Sequence, residues 1–338
     1  MMSDKTMKIV LSVLTVILLA LIAALFAFKG GAQKADLNKL ALRIGELRQY
    51  QTMSHADMNK AMEKAFSRIG YNVVSATEDN LYPSTAANAG VNFYVRGYNP
   101  FNELKTNKKA VNILYIRDYD SLYPDELNAF DGIATPSKDF YNYVISAGYA
   151  AVYLPEFTDV SVFAVAPQES LKRNLLYVGD NDRFSPAVSA ALEAKLPVEV
   201  YGRFWIGNID DEYIKGEYIH ENDLGAYFAS AAINLVNVSA HESELGIIPS
   251  RVYDIAAAKG FMLAPYNKEI EAVFGDSVPM YKNADELKAL YNKYINDPKA
   301  RAEKAEVAYR IAVSEYNVDA FAQRLNGLVE FLINEKKL

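Results

Sequence analysis

The chain has no cysteine, only one tryptophan and only three histidines among its 338 residues. The absence of cysteine excludes disulfide bonds, Cys-ligated zinc and a cysteine nucleophile. The histidines are scattered far apart, which argues against a His-rich metal site; they are His55, His220 and His241. No long basic run occurs and the formal net charge is −7, so we expect no nucleic-acid partner.

A long apolar segment lies near the N-terminus. Residues 9–28 are apolar except for Ser12 and Thr15, and about 20 apolar residues are enough to span a bilayer as a helix. The segment is longer than the core of a secretory signal, which has roughly 7–15 residues, although alanines near its end leave a cleavable signal open. We therefore predict a transmembrane anchor within residues 1–30.

Basic residues flank this segment unevenly. Lys5 and Lys8 precede it, whereas five basic residues follow it closely: Lys29, Lys34, Lys39, Arg43 and Arg48. Because positive charge favours the cytoplasmic side of a membrane, this imbalance predicts a single-pass protein whose bulk is cytoplasmic.

The segment that follows, residues 31–68, is predicted to form juxtamembrane helices. Its apolar residues recur at three- and four-residue spacing from residue 36 onward, which is typical of an amphipathic helix; they include Leu37, Leu40, Ala41, Ile44 and Leu47. A second helix is predicted over residues 56–69, after Ser54 as a plausible N-cap.

Strand and helix signals then alternate along the rest of the chain. In residues 69–166 the strands are predicted at 71–75, 91–96, 111–117, 131–135 and 151–154, with a helix at 138–146. In residues 167–338 the pattern continues and ends in three helices, at 285–295, 299–314 and 318–332. This alternation predicts an α/β protein with two parallel-sheet, Rossmann-like domains.

Three ordered motifs of the second domain resemble those of CgeB-like (spore maturation protein-like) glycosyltransferases, which are relatives of the group 1 GT-B enzymes. The motifs are Leu176-Tyr177-Val178-Gly179, Tyr201-Gly202-Arg203-Phe204-Trp205 and the run from Gly246 to Gly260. The resemblance implies a GT-B-like fold and a nucleotide-sugar donor. Together with the predicted anchor, it leads to the hypothesis of a membrane-anchored glycosyltransferase that acts on a cell-envelope or surface acceptor.

The donor diphosphate needs hydrogen-bond donors and cations. Ser250 begins a predicted helix, and a helix N-terminus favours an anion. Arg251 in the first turn would add charge-assisted bonds to phosphate, and Arg203, which follows a strand end, would face the cleft between the domains. The alternative is that Ser250 is only a cap and Arg251 a solvated side chain.

Further donor contacts follow from the resemblance. Asp254 stands where group 1 enzymes usually have a glutamate that binds the ribose hydroxyls, and it keeps the charge with a shorter reach. Gly246 stands where many of them have a second glutamate, so one contact to the donor sugar is lost. Tyr253, from the same motif, is included among the predicted donor-binding residues.

The sequence gives only weak signals for catalytic residues. An inverting transferase needs a general base from the first domain, and the candidates are Asp118 and Asp120, which follow a predicted strand. Their Asp-x-Asp spacing is common, so we predict no metal site and no cofactor. Two alternatives stay open: a non-catalytic GT-B-like binding or scaffold protein in envelope assembly, and a periplasmic binding protein with a cleaved signal.

Membrane orientation can be tested directly. A topology reporter fused after Leu338 should be active on the cytoplasmic side, because the basic residues after the apolar segment favour that side. Paired cytoplasmic and periplasmic reporters at this position provide the measurement. Activity of the periplasmic reporter alone would contradict the predicted orientation.

Overall fold

The protein folds into two α/β lobes, each built on a six-stranded sheet. A computed structural model describes residues 35–45, 53–96, 100–101, 103–117, 124–181 and 185–338. The first lobe contains the strands up to residue 153, and the second contains those from residue 175 onward. The predicted α/β class with two parallel-sheet, Rossmann-like domains is confirmed.

The first sheet has the strand order β2-β1-β3-β4-β5-β6, and all its neighbours are parallel. Its strands are β1 (Asp36–Ile44), β2 (Asn72–Ala76), β3 (Ala89–Arg96), β4 (Val111–Ile116), β5 (Gly132–Thr135) and β6 (Ala151–Tyr153). Strands β3, β4 and β5 are buried along their whole length. Such continuous burial is expected of parallel strands that are covered on both faces.

The helix predicted to begin at Asp36 is wrong, because this segment is strand β1. β1 pairs with β2 on one side and with β3 on the other. Its second half is fully buried, so apolar residues occupy both faces of the strand. A strand that is buried on both faces therefore produced a spacing of apolar residues that also fits a helix. The first part of the segment predicted as juxtamembrane helices thus supplies an inner strand of the first sheet, whereas the second helix, predicted over residues 56–69, is confirmed as the helix Met53–Arg68.

The second sheet has the order β12-β11-β10-β7-β8-β9 and is also parallel between all neighbours. Its strands are β7 (Leu175–Val178), β8 (Val198–Tyr201), β9 (Ile214–Gly216), β10 (Ile233–Leu235), β11 (Met262–Pro265) and β12 (Met280–Tyr281). Renumbered within the lobe, this is the doubly wound order 3-2-1-4-5-6, whose direction reverses between β7 and β10. Ligands of such sheets bind at the carboxyl ends of the strands near that reversal.

Helices cover both faces of the sheets. They are α1 (Met53–Arg68), α2 (Pro124–Leu127), α3 (Lys138–Ser146), α4 (Val160–Phe163), α5 (Pro186–Glu193), α6 (Glu221–Ser230), α7 (Ala240–Leu245), α8 (Ser250–Ala257), α9 (Lys268–Phe274), α10 (Ala284–Ile295), α11 (Pro298–Glu315) and α12 (Val318–Lys336). The predicted helices at 138–146, 285–295, 299–314 and 318–332 are confirmed within a few residues.

The last helix, α12, returns from the second lobe to the first. Its apolar face joins the core formed by α1 and strands β1, β3 and β4. The ring of Phe321 lies 4.2 Å from that of Phe157, 6.0 Å from Tyr115 and 6.1 Å from Phe66, measured between centroids. The chain therefore crosses between the lobes twice.

The two crossings lie side by side. The backbone N–H of Thr158, on the outgoing crossing, donates to the carbonyl of Tyr316, on the returning one, at 2.9 Å. Thr158 also forms an isolated parallel bridge with Asn317. The lobes are thus connected by two adjacent segments that are hydrogen-bonded to each other.

The predicted transmembrane segment, residues 9–28, lies outside the residues that the structure describes. Within the described ranges, no helix has both the length and the apolar character needed to cross a membrane.

The packing of α12 predicts a large stability effect. Phe321→Ala should lower the free energy of unfolding by roughly 3–5 kcal/mol, because it removes a fully buried ring and leaves a cavity. Urea unfolding followed by circular dichroism measures this. Phe331→Ala on the same helix is the control, since that ring is 52% exposed and its loss should change stability by about 0.5 kcal/mol or less. Equal effects of the two variants would contradict the packing described here.

Candidate functional site

The two lobes meet through residues that follow the carboxyl ends of their strands. Ser137, after β5, caps α3 by accepting from the N–H of Phe140 at 3.0 Å, and its hydroxyl donates to the carbonyl of Leu245 at the end of α7. Beside this contact, Asp139 of α3 pairs with Lys268 at the start of α9 at 2.7 Å. The strand ends of both sheets therefore border one interlobe cleft, where ligands of parallel sheets are expected.

Between helix α1 of the first lobe and helices α6 and α8 of the second, a cavity of about 120 Å³ brings together three of the predicted donor-binding residues. They are Ser250, Arg251 and Asp254, all from the first turns of α8. The sequence placed them on one helix, and the structure adds that this helix end opens between the lobes.

Arg251 is not a solvated side chain. Its guanidinium group lies 3.5 Å from the carboxylate of Asp254, one turn further along the helix, and 5.1 Å above the ring of Phe228. The side chain of Arg251 is 18% exposed and that of Asp254 is 9% exposed. A cation that is held by an aromatic ring and a carboxylate at a cavity wall is suited to bind an anionic group.

The start of α8 contradicts the alternative in which Ser250 is only a cap. Pro249 is the N-cap residue and Ser250 is the first helical residue, so no side chain caps this helix. By contrast, α3 and α5 are capped by the hydroxyls of Ser137 and Ser185. An uncapped helix N-terminus leaves its first N–H groups to other acceptors, including a bound anion.

Tyr253 faces away from the cavity. Its ring is fully buried and stacks on Tyr316 with a centroid distance of 4.7 Å. Its hydroxyl has no hydrogen-bond partner among the described residues, and burial raises its pKa well above the usual value. In this structure Tyr253 contacts the returning crossing, and its predicted role in donor binding stays a prediction.

Arg203 lies beyond the ends of β7 and β8, and its predicted position in the cleft stays a prediction. Its Nη2 is 2.6 Å and its Nε 2.9 Å from the same carboxylate oxygen of Asp180, while its backbone N–H donates to the other oxygen at 2.8 Å. Asp180 therefore fixes the direction of Arg203, whose side chain is 39% exposed. The structure does not place Arg203 at the cavity that Arg251 lines.

The turn that carries Arg203 requires a glycine. Gly202 has φ +153°, and a Cβ atom there would lie 2.0 Å from the carbonyl oxygen of Gly179. The adjacent Trp205 is buried and its indole N–H donates to that same carbonyl at 2.8 Å. The Tyr201-Gly202-Arg203-Phe204-Trp205 motif thus forms a tight connection across the ends of two neighbouring strands.

Gly246 ends α7 in the left-handed conformation, with φ +64°. A Cβ atom at this position would lie 3.4 Å from Asp139 of the first lobe and 3.6 Å from Glu269. Gly246 therefore lies at the interlobe contact. The helix that it ends begins with the capping box Ser239-x-x-Glu242, which is a recognisable start signal in the sequence.

The first lobe's predicted catalytic residues, Asp118 and Asp120, lie outside the described residues. The neighbouring Arg117 forms a two-point ion pair with Glu156, at 2.8 and 3.1 Å. Among the residues that the structure does describe, no cluster of three acidic or histidine side chains is arranged to hold a metal ion.

Sequence reasoning missed the charged residues that close the cavity from the other side. Lys60 and Lys64 of α1 line it together with Asp159 and Glu221. Lys64 pairs with Asp159, and Lys60 lies 3.5 Å from Glu221. Burial acts to raise the pKa of Asp159, but hydrogen bonds from Lys64 and Ser161 outweigh it and lower that pKa. The only sequence signal was the four-residue spacing of the two lysines, which places them on one helix face.

Comparison with known proteins agrees with this architecture. Residues 183–327 match the protein family described as "Glycosyl transferase-like". A search of curated proteins gave no match.

Solved structures show the same fold over most of the chain. A glycosyltransferase from Rickettsia africae is 9% identical, with a TM-score of 0.63 over 88% of this chain and 99% of that one. Sucrose-phosphate synthase from Thermosynechococcus elongatus is 11% identical, with a TM-score of 0.62 over 88% and 99%. HepE from Anabaena, solved in complex with UDP-glucose, is 12% identical, with a TM-score of 0.57 over 88% and 99%. The predicted GT-B-like fold is confirmed.

The Gly202 turn gives a testable prediction. Gly202→Ala should lower the free energy of unfolding by about 1–3 kcal/mol or more, because the methyl group overlaps the backbone of Gly179. Gly327→Ala is the control: a Cβ atom there meets open space within helix α12, so stability should rise by roughly 0.5–1 kcal/mol. Thermal unfolding compares the two, and an unchanged midpoint for Gly202→Ala would refute the close approach.

Proposed function

We propose that this protein is a glycosyltransferase that moves a sugar from a nucleotide-sugar donor to an acceptor. The observation that carries the proposal is the uncapped start of α8, where Arg251 opens onto a cavity between two GT-B-like lobes. The solved HepE structure of the same fold holds UDP-glucose, which supports a nucleotide-sugar ligand here.

The chemistry of the site fits the departure of a nucleoside diphosphate. Negative charge develops on this leaving group as the bond to the sugar breaks, and fixed cations and N–H dipoles stabilise such charge. Arg251 and the first turn of α8 would supply both. Asp254, at the same wall, would accept hydrogen bonds from the ribose hydroxyls, while its ion pair keeps Arg251 in position.

Donor entry requires the lobes to separate. Sites for small organic ligands have volumes of roughly 300–1,000 Å³, whereas this cavity measures about 120 Å³. The ion pairs that span the cleft would break on opening and re-form on closure around the donor. Closure of this kind removes water from the reacting sugar, which protects the donor from hydrolysis.

The finer assignments extend this proposal. We infer a CgeB-like enzyme, anchored in the membrane by residues 9–28 with its body on the cytoplasmic side, where nucleotide sugars are made. Its acceptor would belong to the cell envelope or surface. Asp118 and Asp120 remain the proposed general-base candidates, because in the sequence both come soon after the end of β4 (Val111–Ile116).

One observation favours a second candidate, a non-catalytic GT-B-like binding or scaffold protein. Two carboxylates of the first lobe are each paired with a cation: Glu156 with Arg117 and Asp139 with Lys268. A carboxylate whose oxygens are held by a cation is less available to take the proton of an acceptor hydroxyl. Product formation in the presence of donor separates the two candidates.

Donor binding provides the decisive experiment. Protein-detected titration with UDP-, GDP- and other nucleotide sugars should reveal at least one ligand, and Arg251→Ala should weaken its binding by about tenfold or more, because a charge-assisted bond is lost. Arg310→Ala is the control, since Arg310 is exposed on the outer helix α11 and pairs only locally with Glu306. Failure of every donor to bind would contradict the proposed enzyme. An unchanged donor affinity in the Arg251→Ala variant would contradict the role of Arg251 in donor binding.

A further inference from the structure

Two lysines of the first lobe point at the same cavity as Arg251. Lys60 and Lys64 lie one turn apart on α1 and line the cavity, opposite the first turn of α8. Helix α1 is held in place from its other face, where Met62, Ala65 and Phe66 are fully buried in the core of the first lobe. The two ammonium groups are therefore carried by a rigid element.

In this structure the lysines contact acidic residues of the second lobe. Lys64 pairs with Asp159 and also donates to the hydroxyl of Ser161 at 2.6 Å. Lys60 lies 3.5 Å from Glu221, the first residue of α6. Asp159 and Ser161 belong to the segment of α4, which packs against α6 and α8. Each pair thus joins the lobes across the cavity.

We propose that Lys64, assisted by Lys60, completes a diphosphate-binding site whose other half is Arg251 and the start of α8. When a donor occupies the cleft, the lysines exchange their carboxylate partners for oxygens of the diphosphate. This inference rests on the proposed function, because it assigns to that site a second set of cations from the opposite lobe.

Physical chemistry favours this exchange. A diphosphate between the lobes carries more than one negative charge and is neutralised better by cations from two sides than by Arg251 alone. Because α1 belongs to the first lobe, its lysines reach the diphosphate only when the lobes close. Closure of the lobes would therefore strengthen diphosphate binding. By thermodynamic linkage, diphosphate binding would favour the closed state by the same free energy.

In the alternative, called the latch role, Lys64 only holds the lobes together through its ion pair with Asp159. The two roles predict different effects of Asp159→Asn. If Lys64 is only a latch, removing either partner has the same consequence for nucleotide binding. If Lys64 binds phosphate, Asp159→Asn releases a competitor for its ammonium group, so nucleotide binding is retained or tightened.

The test is titration of the full chain with UDP and GDP, with uridine and guanosine as phosphate-free probes. Lys64→Met should weaken binding of the diphosphate by about tenfold or more, the cost of a charge-assisted bond, and should leave nucleoside binding unchanged. Lys60→Met should have a smaller effect, since its side chain is 70% exposed. Lys64→Arg should restore most of the affinity, which shows that a folding defect is not the cause.

Matched controls make each result decisive. Lys299→Met removes a lysine that is 86% exposed on α11 and should change nothing. Equal losses of diphosphate affinity in Lys64→Met and Asp159→Asn would show that Lys64 has the latch role alone, and would overturn the inference. Unchanged diphosphate affinity in Lys64→Met, with a loss in Arg251→Ala, would overturn it while the proposed function stands. No nucleotide binding by the wild-type chain would overturn both.

Discussion

The packing of α12 against the first sheet determines how the two lobes are held together. Because the chain leaves the first lobe near Thr158 and returns near Tyr316, the last helix belongs to the first core although it follows all of the second lobe. Phe321 occupies the centre of an aromatic cluster there. This apolar contact fixes the adjacent crossings, and the crossings in turn bring the carboxyl edges of both sheets to one cleft.

The interactions that close the cleft are weak by comparison. Lys60–Glu221 and Lys268–Asp139 are largely exposed pairs, and such pairs contribute about 0–1 kcal/mol each. Burial of a ring such as Phe321 contributes several times more. Separation at the cleft would therefore break weaker contacts than those inside either core, and entry of the proposed donor requires such a separation.

Much of this fold could be read from the sequence because most elements have local signals. The strands at 91–96, 111–117 and 151–154 are short apolar runs between turn residues, and their positions were right within a few residues. β1 was mistaken for a helix because burial on both faces removes the alternation that identifies a strand. β9 and β12 have only three and two residues, which is too short for any periodic signal.

The sequence by itself determined the α/β class, the GT-B resemblance and the grouping of Ser250, Arg251 and Asp254, because all three reflect local order along the chain. Only the tertiary structure decided that Tyr253 is buried under Tyr316, that Arg203 is directed by Asp180, and that the start of α8 faces Lys60 and Lys64. Those contacts join residues far apart in the chain. They depend on the return of α12 and on the angle between two lobes, and no local pattern encodes either.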